Sequence, residues 1–237
     1  VVDPEIVLRA RGFNLEISFF YNTASQFAPG CWGKLRSASV NVRLLEGIDE
    51  VWLIRGDGKS YRFTGSWAPT VVTTMTADAD MYSGTQLVWD GAQFVETFAD
   101  GKTITYGEAL PDSYFGATEI ADASGNIQTY TYSSGNLESI EVPGGNKVTF
   151  LYDGSLVETV QDWGGRRWTF TYDGDSQLET FTIPTGCQAQ YSNPSTDGLI
   201  DAITDPRGYT TSYTFYGDGR VETMSLGAAV WTYTYST

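Results

Sequence analysis

The sequence predicts an all-β protein, a long antiparallel meander of hairpin repeats forming a curved, twisted sheet. Three observations carry this: an aromatic, glycine-rich composition, a repeat of about 21 residues, and period-two alternation inside each repeat.

Composition comes first. With 14% aromatic residues, 26 Gly, 15 Tyr and only 18% charged side chains, the chain favours many short strands joined by tight turns over helices. Its 237 residues can bury a substantial core, as one continuous unit or two fused ones. The 29 acidic against 14 basic side chains leave a net charge of −15, which repels phosphate backbones and anionic membranes and argues against nucleic acid as a partner. No apolar run approaches the roughly 18 residues of a membrane span, so the chain is not expected to be membrane-embedded. Val1-Val2-Asp3-Pro4 is neither a signal peptide nor a translation start, and the N-terminus reads as trimmed. Cys31 and Cys187 either pair in an oxidising compartment or stand as two thiols, with no metal-ligand or redox spacing. The count of 0 His excludes Ser-His-Asp and Cys-His catalysis and the usual zinc sites for this chain acting alone. Carboxylate pairs and Ser-Lys arrangements are what remain.

The repeat is read from Val95-Glu96-Thr97-Phe98, which recurs as Leu137-Glu138-Ser139-Ile140, Val157-Glu158-Thr159-Val160, Leu178-Glu179-Thr180-Phe181, Ile200-Asp201-Ala202-Ile203 and Val221-Glu222-Thr223-Met224. A degenerate copy, Ala117-Thr118-Glu119-Ile120, fills the one gap. The last apolar residues of successive copies lie 22, 20, 20, 21, 22 and 21 residues apart.

Turn glycines follow five residues after the mark at Gly125, Gly145, Gly165, Gly186 and Gly208, accompanied by Asp122, Pro143-Gly144, Asp162 and Asp205-Pro206. Alternation follows each turn. Val148, Phe150 and Tyr152 share one face against Lys147, Thr149 and Leu151, as Trp168, Phe170 and Tyr172 do against Arg167, Thr169 and Thr171. A second turn, such as Asp153-Gly154 or Asp173-Gly174-Asp175, closes each hairpin. The predicted repeat core is therefore Tyr130, Tyr132, Phe150, Tyr152, Trp168, Phe170, Tyr172, Tyr191, Tyr213 and Phe215. One detail resists: Val157 and Val160 are three apart, so a bulge intervenes or both faces are covered.

Before about residue 85 the register is lost. Residues 1–85 read as a β-rich N-terminal capping module and 86–237 as the repeat sheet continuous with it. Arg11 to Tyr21 is β-rich, Val51-Trp52-Leu53-Ile54 and Tyr61-Arg62-Phe63 flank a turn at Gly56-Asp57-Gly58, and residues 65–84 are the long-loop candidate.

Tyr152-Asp153-Gly154-Ser155-Leu156, and Thr204-Asp205-Pro206-Arg207-Gly208 ahead of Tyr213-Thr214-Phe215-Tyr216, resemble the RHS/YD repeat of bacterial polymorphic toxins, insecticidal toxin complexes and teneurins. Phe20-Tyr21-Asn22, Gly30-Cys31-Trp32-Gly33 and Gly58-Lys59-Ser60-Tyr61-Arg62-Phe63 resemble the module that precedes such repeats. The resemblance implies a curling sheet that winds into a hollow shell, often around a C-terminal toxin exported from the cell. It thus implies a secreted or surface structural segment whose partners are the remainder of its own parent chain and an enclosed cargo. The chain departs from the full pattern in lacking the post-repeat core with its self-cleaving aspartyl protease, the toxin, and any secretion or membrane module. Because it ends on Trp231-Thr232-Tyr233-Thr234-Tyr235, which reads as mid-strand, a fragment is expected, with strand edges open to edge-to-edge self-association.

No enzyme activity and no cofactor is expected. The repeated Glu96, Glu138, Glu158, Glu179 and Glu222 share a position and read as a solvated strand row, where a catalytic pair needs unlike environments. Asp57, Asp153, Asp173, Asp175 and Asp218 sit in turns without calcium-loop spacing, so no metal site is expected. Arg55-Gly56-Asp57 spells an integrin-type tripeptide, read as coincidence between two strands. The alternative function is a carbohydrate-binding module that stacks sugars on exposed rings, for which Trp163, Trp168 and Trp231 are the candidates. Exposure of the rings discriminates the two readings.

Overall fold

The computed structural model describes residues 6–23, 30–79 and 84–236. Val1 to Pro4, read above as a trimmed start, lie outside the described residues. The described strands number twenty-four. Those of the N-terminal part are β1 (Ile6–Leu8), β2 (Leu15–Ile17), β3 (Phe19–Tyr21), β4 (Arg36–Ala38), β5 (Arg43–Glu46), β6 (Glu50–Ile54), β7 (Ser60–Thr64), β8 (Thr73–Thr74) and β9 (Thr76–Ala77). Then come β10 (Thr85–Trp89), β11 (Phe94–Phe98), β12 (Thr103–Leu110), β13 (Tyr114–Ala121), β14 (Ile127–Ser133), β15 (Asn136–Glu141), β16 (Lys147–Asp153) and β17 (Leu156–Gln161). The rest are β18 (Arg167–Tyr172), β19 (Leu178–Thr182), β20 (Gln188–Ser192), β21 (Ala202–Thr204), β22 (Thr210–Phe215), β23 (Val221–Leu226) and β24 (Ala229–Thr232). No α-helix occurs among the described residues. The strands β5 to β24 belong to one antiparallel sheet, the all-β meander that the repeats predict.

The chain forms two compact units, residues 1–20 with 38–149, and residues 21–37 with 150–237. The division at 85/86 is one of repeat register; contacts divide the chain elsewhere, because N-terminal segments pack into both units.

In the first unit β10 to β15 pair in sequence. Strand β13 is shared: Tyr114, Phe115 and Gly116 lie against Leu45, Leu44 and Arg43 of β5, while Glu119 to Ala121 lie against β14. The predicted strands around the Gly56-Asp57-Gly58 turn are β6 and β7, paired from Ile54↔Ser60 outward. Alternation along β1 and β2 puts Ile6, Leu8, Leu15 and Ile17 inward, each at most 2% exposed, with Leu44, Leu53, Phe63, Leu87 and Phe94 also buried. The predicted long loop contains two short strands, since β8 pairs with β10 and β9 with β7, and Met75 between them is buried. Residues 80–83 of that loop lie outside the described residues.

In the second unit β17 to β24 continue the meander. Its apolar face is covered by the segment around Trp32, whose ring meets Phe170 edge-on at 5.3 Å and Phe150 at 6.3 Å. The Val157 amide donates to the Cys31 carbonyl at 2.8 Å and the Lys34 amide to the Ser176 carbonyl at 3.1 Å. Beyond β20 the cover thins, and no side chain of β22, β23 or β24 is buried.

Bulges resolve the three-residue spacing. Thr171 pairs with Thr180 but Tyr172 with Leu178, leaving Glu179 unopposed; Glu138 and Glu222 are left over in the same way on β15 and β23, and Thr118 on β13. The extra residue rotates the strand by one position, so Leu137 and Ile140, or Leu178 and Phe181, both reach the core.

Candidate functional site: the aromatic ladder and a buried carboxylate

The ladder is a core. Tyr130, Phe150, Trp168, Phe170 and Tyr191 are 3–7% exposed, and Tyr132, Tyr152, Tyr172, Tyr213 and Phe215 are half-buried. Burial raises the Tyr130 and Tyr172 hydroxyls well above the ordinary tyrosine pKa. Of the predicted outward residues Lys147, Leu151, Arg167 and Thr171 are exposed, while Thr149 and Thr169 are half-buried.

Of the glycan-stacking candidates, Trp168 is corrected. At 7% exposure it offers no ring face to a ligand, because alternation along β18 turns it into the core beside Phe170. Trp163, in the turn after β17, is 37% exposed and Trp231 on β24 is 44% exposed.

The turn glycines Gly125, Gly145, Gly165, Gly186 and Gly208 have φ of 78 to 86°, a left-handed geometry that a side chain strains. Each donates its amide to the carbonyl three residues back, as Gly165 does to Asp162 at 3.0 Å. The aspartates of these turns are occupied by them. The Asp162 carboxylate accepts from the amides of Gly164 and Arg166 at 2.9 and 2.8 Å and from the Arg166 side chain at 2.7 Å. Asp122 and Asp205 cap their turns alike, and Asp173 does the same in the turn between β18 and β19. Among the described residues no cluster of three His, Cys, Asp or Glu could hold a metal ion. Cys31 is half-buried and Cys187 exposed, with no disulfide between them.

The glutamate row is only partly solvated. Glu138, Glu158 and Glu179 are exposed and Glu222 half-exposed, but Glu96 is fully buried, which corrects the reading of one repeated environment. The cause is register. β11 has no bulge: Val95, Glu96 and Thr97 pair one-for-one with Val88, Leu87 and Gln86, so plain alternation drives Glu96 inward beside Phe94. There its carboxylate forms a two-pronged ion pair with the Arg55 guanidinium, one prong at 2.8 Å. It also accepts from the Thr85 hydroxyl at 2.6 Å and the Tyr106 hydroxyl at 2.9 Å. Burial, then the neighbouring Glu96 charge, pushes the Tyr106 hydroxyl well up. Four donors saturate the carboxylate, leaving no lone pair for acid–base work and fixing Arg55 away from any role as an exposed tripeptide. Sequence reasoning missed Arg55, Thr85 and Tyr106, which lie on three different strands or turns with no shared motif.

A cavity of about 290 Å³ opens between Asp153, Glu158 and Asp173 and the rings of Phe170 and Tyr172. Its acidic rim attracts cations in general.

No family model and no curated protein matches the sequence. Among solved structures 36 chains match. The crystal structure of TcdB2-TccC3-TEV is 16% identical over 80% of this chain and 13% of its own, at a TM-score of 0.37. That of TcdB2-TccC3-Cdc42 is 15% identical over 91% and 14%, also at 0.37. The chain thus spans about an eighth of the length of the structures it matches. No helix among the described residues is long and apolar enough to cross a membrane.

Proposed function

We propose that this chain is a passive wall segment of a secreted or surface RHS/YD-repeat protein, which encloses or displays a toxin or effector without transforming it. The observation that supports this is the inward burial of Phe150, Trp168 and Phe170, at 3–7% exposure and partly capped by Trp32. Aromatic area committed to cohesion between neighbouring hairpins is not offered to a ligand. The partners of such a wall are the rest of its parent chain and the enclosed cargo. Its repeated carboxylates serve bulges, turns and one buried ion pair, so no catalytic role is assigned to them.

The test is a panel of glycans, esters and peptides incubated with the purified protein and read for binding and turnover. The wall predicts neither. Saturable micromolar binding of one glycan that is lost in Trp163→Ala or Trp231→Ala would establish the carbohydrate-binding alternative, for which the exposure of those two rings speaks. Turnover abolished by one glutamate substitution would overturn both.

A further inference from the structure

The chain has lysines at 34, 59, 102 and 147, and three of them end on oxygen. Lys34 Nζ donates to the Thr196 carbonyl at 2.8 Å, Lys59 lies 3.5 Å from Asp57, and Lys147 lies 3.3 Å from Glu141. Lys102, half-buried in the turn between β11 and β12, instead places Nζ over the Phe98 ring, 5.0 Å from its centroid. The Arg55 guanidinium sits 5.0 Å from the centre of the same ring. Arg55 cannot move off, since it is fixed by Glu96, and Glu96 cannot turn to Lys102, since Arg55, Thr85 and Tyr106 occupy its oxygens. The nearest other carboxylate on the turn, Asp100, accepts the Lys102 backbone amide at 3.0 Å.

Two of the means by which proteins make a lysine nucleophilic therefore meet at one nitrogen: partial removal from water and a fixed neighbouring cation. The Phe98 face attracts the ammonium, and burial first, then Arg55, work against the charge; Glu96 and Asp100 oppose them less, and the net pKa lies below the ordinary lysine value.

We propose that Lys102 is the nucleophilic amine of this chain, a modification site at which small aldehydes condense to an imine. The neutral Nζ lone pair attacks the carbonyl carbon, a C–N bond forms, and the carbonyl π pair moves to oxygen. A proton passes from nitrogen to that oxygen to give a carbinolamine. Loss of the oxygen as water, with the remaining nitrogen proton, leaves C=N. No oxidant or reductant enters.

The experiment is reductive methylation of the folded protein with limiting formaldehyde and cyanoborohydride at pH 7.5, each lysine followed by peptide mass spectrometry. Formaldehyde is small and uncharged enough to reach a half-buried amine. The N-terminal α-amine of the purified protein is scored separately, since the ordinary pKa of such a group is about 8. Lys102 is expected to react about five times faster than the mean of Lys34, Lys59 and Lys147, a preference equivalent to about 0.7 of a pKa unit. The preference is expected to vanish in concentrated urea and to grow in Asp100→Asn. Equal or slower reaction at Lys102 in the folded protein, or a preference that survives urea, overturns the proposal.

Discussion

The Tyr172 hydroxyl donates a hydrogen bond to the Val157 carbonyl at 2.8 Å, reaching back fifteen residues across the sheet. The same link recurs from Tyr132 to Ala117 at 3.0 Å, from Asn193 to Leu178 at 2.9 Å, and from Tyr235 to Val221 at 2.9 Å. In the last three the acceptor immediately precedes the bulged residue, Thr118, Glu179 or Glu222. A bulge disrupts the ladder locally and leaves a main-chain group in need of a partner. The tyrosine that ends one hairpin supplies it to the hairpin before. Asn193 shows that the requirement is a donor at that reach rather than a ring.

Tyr172→Phe keeps the ring and strands the carbonyl. It is expected to cost about 1–3 kcal/mol, with Tyr132→Phe similar. Urea unfolding of the two variants beside the parent protein measures this, and an unchanged midpoint in both would remove the role.

Glu96 and Glu179 occupy matching repeat positions and should respond very unequally. Glu96→Gln leaves the Arg55 guanidinium largely buried without its counter-charge and should destabilise by about 3–5 kcal/mol. Glu179→Gln, on an exposed bulge, should stay within about 0.5 kcal/mol. Thermal midpoints at neutral pH read both.

The ladder predicts a contrast between adjacent residues. Phe170→Ala removes a ring in contact with Trp32 and Phe181 and is expected to cost about 3–5 kcal/mol. Thr171→Ala, facing outward, loses one hydroxyl contact to Thr180 and should cost little. Equal losses in denaturant titration would mean that the facing is wrong.

Acid should loosen the turns. Hydrogen bonds from the Asn126 side chain and amide hold the Asp122 carboxyl below the ordinary aspartate range, and the Gln93 and Ala92 amides do the same for Asp90. A depressed folded-state pKa means a contribution that is complete above the unfolded value, near 4, and lost as pH falls through the folded one. Melting temperature is therefore expected to fall as pH drops below about 4, less steeply in Asp122→Asn than in the parent protein.

The repeat spacing made the hairpins, the inward rings and the turn glycines legible, because period two and left-handed glycines are local properties. The Glu96 environment was not, since one missing bulge on β11 changes which way its side chain points while leaving the motif intact. The short strands β8 and β9 were hidden for a different reason. Two-residue strands have no period, and theirs are set by the strands they pair with.

Trp32 meets its partners Phe150 and Phe170 only after more than a hundred further residues have been made. At about 5–20 residues per second, a nascent chain carries this ring unpaired for on the order of ten seconds. Each new hairpin of the second unit, by contrast, finds its neighbour just finished. The cover of the second unit is thus made well before the strands it covers, and the Trp32 contacts to that apolar face can form only once Phe150 and Phe170 have followed it out.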